Sequence, residues 1–172
     1  MEGAGIQLRK IETHARSQTR PWSLHRPDIN LELCKSSKQN TDPLVLRHTF
    51  EETISKYKDH LLIFTDGSKS EDAVGCAFYS SEGTGTQCLD ADASIFTAES
   101  RAISKALNQV AKSRRKKVLV LSDSLSVLYG LKNVYCTDPR LTKILDGVDK
   151  LKKKGREVRF LWVPQPCGYP GK

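Results

Sequence analysis

The chain has 172 residues, 38% of them hydrophobic and 28% charged, with a formal net charge of +8. That is the size of one domain with an arm; it excludes wholesale disorder and a pair of full enzyme domains. No apolar run reaches the roughly 20 residues of a bilayer span, and no apolar block marks a secretory signal.

Residues 1–43 keep no sustained periodicity and carry Pro21, Pro27 and Pro43 around a polar stretch at 35–42, so residues 1–59 read as a connector arm. Within it Leu46, Phe50, Ile54 and Tyr57 share one helical face, which predicts a short amphipathic helix near 44–58. The domain proper is predicted over 60–172. The apolar run 61–65 predicts a central strand buried on both faces, followed by a turn at Asp66-Gly67-Ser68. Residues 74–79 and 84–89 predict two more strands, joined at Ser81-Glu82-Gly83. A helix is predicted over 97–112 with Thr97 as its cap, then a second buried strand over 117–122, then a short helix over 124–132. Asp138 and Pro139 predict the next helix start, as N-cap and first helical residue. Its apolar residues Leu141, Ile144, Leu145, Val148 and Leu151 keep helical spacing, and Gly155 closes it. Val158, Phe160 and Trp162 alternate in a last strand. This order predicts an α/β fold: a mixed five-stranded sheet flanked by helices.

The strands at 61–65 and 117–122 flank one helix, so a right-handed crossover would make them parallel. Asp66 and Asp123 then stand at their carboxyl ends, where open α/β sheets gather ligand sites. Glu99 falls in the apolar stripe of the intervening helix, in line with Ile103, Ala106 and Val110. A carboxylate rarely occupies a buried face unless something pairs with it. Taken singly, Asp66-Gly67 is ordinary turn chemistry and Ser122-Asp123-Ser124 an ordinary helix cap. Together the three converge, and a shared hard cation explains them best.

The basic balance invites a polyanionic partner. Two runs, 112–117 and 150–156, supply much of it, and Lys116, Lys117, Lys152 and Lys153 are candidate phosphate contacts. Alone, such runs are more often solvated helix ends. Five cysteines, at 34, 76, 88, 136 and 167, form no CxxC pair, which predicts a reducing compartment, cytoplasm or nucleus, and no disulfide framework.

Five segments in order, Ile63 to Ser68, Val74 to Ala77, Thr97-Ala98-Glu99, Leu121 to Ser124 and Phe160 to Pro164, resemble the ribonuclease H domain. The likeness is nearest to the version that follows the reverse transcriptase in non-LTR retrotransposon polyproteins. It spans about residues 60–172; residues 20–59, with Pro21-Trp22 and Pro27-Asp28-Ile29, are similar to the connector before that domain. The resemblance implies a ribonuclease H-like fold and an endonuclease that hydrolyses the RNA strand of RNA–DNA hybrids. It implies two Mg²⁺ ions, replaceable by Mn²⁺, on Asp66, Glu99 and Asp123 as catalytic and metal-binding residues. It also implies hybrid contacts at Gly67, Ser68 and Ser124. The text departs from the family over Gln165 to Lys172: Pro166 stands where the family has histidine, and no fourth carboxylate follows. This predicts a domain truncated at its C-terminus, with the last helix missing and activity impaired. A second reading is a non-catalytic, nucleic-acid-binding module of the same fold; a transposase or integrase fits the hairpin and the Thr-Ala-Glu helix less well.

Overall fold

The computed structural model describes residues 24–34 and 42–164. The readings of Pro21-Trp22, of residues 35–41 and of the tail 165–172, Pro166 included, lie outside them.

The apolar runs become the middle of the sheet. Strand β2 (Leu61–Lys69) pairs in parallel with β5 (Lys117–Ser122), which pairs in parallel with β6 (Glu157–Trp162). Leu119 and Leu121 on one face and Val118 and Val120 on the other are all fully buried, as expected of a strand covered on both sides. Beyond β2 the sheet turns antiparallel through β3 (Val74–Ser80) and β4 (Gly83–Leu89), joined by the two-residue turn Ser81-Glu82. The expected mixed α/β sheet therefore forms, but with six strands rather than five. The sixth, β1 (Asp28–Asn30), comes from the connector segment and pairs in parallel with the edge of β6.

Two boundaries differ from expectation. Strand β2 does not turn at Asp66-Gly67-Ser68; it runs on to Lys69, because β3 satisfies that backbone after β5 has ended. Helix α2 (Ile95–Lys112) starts two residues early: Ser94 is its cap, accepting from the Thr97 N–H at 3.1 Å. Glu99 thus stands past the first turn, where the dipole of the helix contributes little. Its buried stripe (Ala102, Ile103, Ala106, Leu107, Val110) packs on the sheet, and Gln109 and Ser113 at its far end meet Glu82 of the hairpin.

Helix α1 (Pro43–Ser55) precedes the sheet core, and α3 (Leu125–Lys132) follows β5. Helix α4 (Pro139–Lys153) begins as the sequence indicates. Asp138 accepts from the Arg140 N–H at 2.8 Å, and Gly155 beyond its end takes φ +72°. The Arg140 guanidinium also grips the Asp138 carboxylate, donates to Thr97 Oγ1 at 2.8 Å and lies 4.7 Å above the Phe96 ring. It ties the start of α4 to the start of α2. The Arg140 hydrogen bonds hold the Asp138 carboxyl below its ordinary 3.8. A folded value below the unfolded one stabilises above pH 3.8 and stops doing so as pH falls through the folded value. Asp138→Ala is expected to cost about 1–2 kcal/mol at pH 7. Urea unfolding of parent and variant should show that gap closing as pH drops below 3.8; a gap constant with pH would refute the assignment.

Candidate metal centre

The parallel ladder of β2 and β5 ends at Thr65 opposite Ser122. Asp66 is the next residue of β2 and Asp123 the first residue beyond β5, so the register itself sets the two aspartates side by side. Thr65 pins this end of the ladder by donating its hydroxyl to the Leu121 carbonyl at 3.0 Å. Glu99 is delivered from α2 above the sheet and is 6% exposed, the one charged residue among the buried positions of that helix. One carboxylate oxygen from each of Asp66, Glu99 and Asp123 lies within 4.8 Å of the others.

Gly67 sets how closely α2 approaches. Its N–H donates to Glu99 Oε1 at 3.0 Å. A Cβ at Gly67 would stand 2.8 Å from the Glu99 backbone nitrogen and 2.9 Å from Glu99 Oε1. The glycine is there for space, since its φ lies outside the left-handed region. On the other side, Trp162 donates Nε1–H to the Asp123 carbonyl at 2.9 Å, and the Val163 N–H bonds the Ser122 carbonyl at 3.0 Å. Ser124 holds the cap position of α3 without a side-chain cap bond. The alternative reading of Asp123 as part of a capping sequence therefore explains nothing about its carboxylate.

Three carboxylates at one point repel one another unless a cation joins them. An all-oxygen donor set suits hard divalent ions such as Mg²⁺ or Mn²⁺ over softer metals. The residues present thus fit the kind of ion the resemblance implies. Glu99 is buried and oriented by the Gly67 N–H, whereas Asp66 and Asp123 are half-buried.

The other candidates divide into two groups. Gly67, Ser68 and Ser124 adjoin the triad, Ser68 exposed and Ser124 half-buried. Lys116, Lys117, Lys152 and Lys153 do not. Lys117 opens β5 and faces Glu157, the first residue of β6, while Lys152 and Lys153 end α4 just before it. Both basic runs lie at the amino end of the parallel strands. Lys117 and Ser122 stand five positions apart along β5, about 17 Å. Several of these lysines also have local partners: Asp59 at 3.8 Å from Lys117, Asp149 at 2.7 Å from Lys153, and the His25 ring at 2.8 Å from Lys152. Sequence reasoning missed the roles of Trp162 and Arg140; the alternation of the last strand gave Trp162 a place in the core but no sign of its indole bond.

Residues 65–168 match a family described as reverse transcriptase-like. A comparison with curated proteins gives no match. Among solved structures, the N-terminal RNase H domain of Rv2228c from Mycobacterium tuberculosis is 22% identical, covering 62% of this chain and 83% of that one at a TM-score of 0.49. RNase H1 from Halobacterium salinarum is 22% identical, covering 62% and 86% at 0.46. LC11-RNase H1, solved in complex with an RNA/DNA hybrid, is 18% identical, covering 61% and 86% at 0.49.

Proposed function

The chain belongs to the reverse transcriptase-like family, matched over 104 of its residues from 65 to 168, and from that premise we propose that it is a ribonuclease H-type endonuclease that hydrolyses the RNA strand of RNA–DNA hybrids. The observation that carries this reading is the convergence of Asp66, Glu99 and Asp123 oxygens within 4.8 Å at the carboxyl end of a parallel strand pair. Asp66, Glu99 and Asp123 would hold the divalent ions. When bound, a pair of such ions supplies an activated water and neutralises charge at the leaving 3′ oxygen. The protein contributes position. Gly67 fixes one Glu99 oxygen, and the packed start of α2 keeps solvent from that side of the carboxylate. Trp162 and the Ser122 backbone bonds hold Asp123 at its strand end. Ser68 and Ser124 offer hydroxyls beside the triad, suited to the 2′-hydroxyls and phosphates by which proteins distinguish an RNA strand. We further propose that the domain works next to a reverse transcriptase in a retrotransposon polyprotein, in a reducing compartment, on hybrid left by that polymerase.

The test is a cleavage assay on end-labelled hybrid with Mg²⁺ and, separately, Mn²⁺. The RNA strand should be cut and the DNA strand spared, with no cutting in EDTA and none of duplex DNA. Hybrid left intact with both ions would refute the enzymatic reading.

A further inference from the structure

The basic run 112–117 is not used by the acidic triad, yet it borders a cleft that nothing above assigns. The cleft encloses about 580 Å³ at the amino end of β2 and is lined by Lys58, His60, Leu62, Phe64, Tyr79 and Arg115, among others. Its floor is the sheet face turned away from α2. In β3, Val74 and Cys76 pack against Ala98 and Ala102 of that helix, so Tyr79, of opposite parity, points to the other side. Phe64 and Tyr79 are direct cross-strand partners there, and Tyr79 is 41% exposed. An exposed tyrosine beside a phenylalanine on an open sheet face presents a flat aromatic surface about the size of a nucleobase.

The rim is positive. Lys58 has no ion-pair partner among the described residues. Arg115 leans on Glu82 at 2.9 Å but stays 61% exposed, with Arg114, Lys116 and Lys117 beside it. These cations and Lys58 outnumber the two acids, Glu82 and Asp59, the latter 3.8 Å from Lys117. The inner wall is His60. Its side chain is only 9% exposed; among the described residues neither ring nitrogen has a hydrogen-bond partner, and Nε2 stands 4.0 Å from the Glu157 carboxylate. Buried polar groups are seldom left so. Along β2, Leu62, Phe64 and Asp66 alternate onto one side, so the floor of the cleft leads directly to the triad.

We propose that this cleft binds an unpaired nucleic-acid strand, a base stacking on Tyr79 and the backbone phosphates meeting Lys58 and Arg115. Aromatic stacking platforms flanked by cations are the general solution for binding single strands without reading sequence. A protein partner of acidic character would use the same rim but would have no need of the aromatic floor.

Fluorescence anisotropy with a labelled 12-nucleotide oligo-dT, in EDTA and at two or more salt concentrations, tests this. The parent should bind. Tyr79→Ala should weaken binding about tenfold, and Tyr79→Phe, which keeps the ring, should bind like the parent. Lys58→Gln with Arg115→Gln should lower the slope of log affinity against log salt by roughly 1.4. Tyr135→Ala, which removes an 83% exposed ring outside the cleft, should change nothing. Parent-like binding by Tyr79→Ala, or no binding of oligo-dT by the parent, overturns the proposal; loss in the charge variant alone reduces the cleft to an unspecific positive patch and overturns it as well. Because no ion is present and hybrid cleavage is not read, this outcome stands apart from that of the cleavage assay.

Discussion

Asp123→Asn is expected to abolish divalent-dependent cleavage of hybrid while leaving the fold in place. Its backbone explains the second half: Trp162 bonds the Asp123 carbonyl, which the variant keeps. The first half follows from turning one of three carboxylates that share a site of 4.8 Å extent into a neutral amide, a far weaker ligand. Changes merely next to a metal ligand cost roughly 10–100-fold, so losing a ligand itself should exceed about a hundredfold. The variant also removes one of three mutually repelling charges, so without divalent ions it should melt no lower than the parent, and higher if repulsion dominates. Adding Mn²⁺ should raise the melting temperature of the parent and leave the variant unmoved, since an ion stabilises only the state that binds it. A variant that cuts hybrid at the parent rate, or gains equally from Mn²⁺, would sink the metal assignment.

Gly67→Ala should be the more damaging change to the fold. The added Cβ meets the Glu99 backbone nitrogen at 2.8 Å, and a helix backbone cannot rotate aside as a side chain can. Helix α2 must lift from β2, for about 1–3 kcal/mol of overpacking strain. The same shift draws Glu99 away from Asp66 and Asp123, so Mn²⁺ should stabilise the variant less than the parent. Gly75→Ala is the matched control: its Cβ would make ordinary contact, 3.4 Å from Ser68 Oγ, and should alter stability by less than about 0.5 kcal/mol. Equal melting curves for the two alanine variants would show that the approach of α2 is not set by Gly67.

Much of this architecture was legible because it rests on local pattern. The runs 61–65 and 117–122 read as strands, and once parallel they had to bring Asp66 and Asp123 together. Only 117–122 is buried on both faces, since Leu62 and Phe64 of β2 are half-buried on the side away from α2. Asp138-Pro139 announced a helix start that the structure reproduces, with Asp138 as N-cap and Pro139 as the first helical residue. What stayed hidden depends on distant backbone. Strand β1 is three residues with a single apolar one, too short for any period; it exists because β6 offers an open edge. The start of α2 was misplaced because Ser94 and Thr97 are both sound caps three residues apart, and only the apolar pair Ile95-Phe96 distinguishes them. The need for glycine at 67 is invisible in a turn-like Asp-Gly-Ser, because it is created by a helix 32 residues away. The lysine runs were assigned by charge alone. Charge does not say which end of a strand it occupies; chain order does, and both runs precede their strands.

The crossover that joins β2 to β5 also governs how the molecule comes to be. The β2–β3 hairpin needs only neighbouring residues, and such units close within microseconds. The contacts that define the triad are of another kind: Gly67 to Glu99 spans 32 residues and Thr65 to Leu121 spans 56. Loop closure over those lengths must precede any reward from the parallel ladder, so topology makes this the slow part of folding. The three negative charges therefore meet only when the chain is nearly native, and their repulsion burdens the end of the route rather than its beginning. An ion that relieves it acts mostly on how slowly the finished protein comes apart, not on how quickly it assembles. In this chain the chemistry of the site and the durability of the native state are secured by the same late closure.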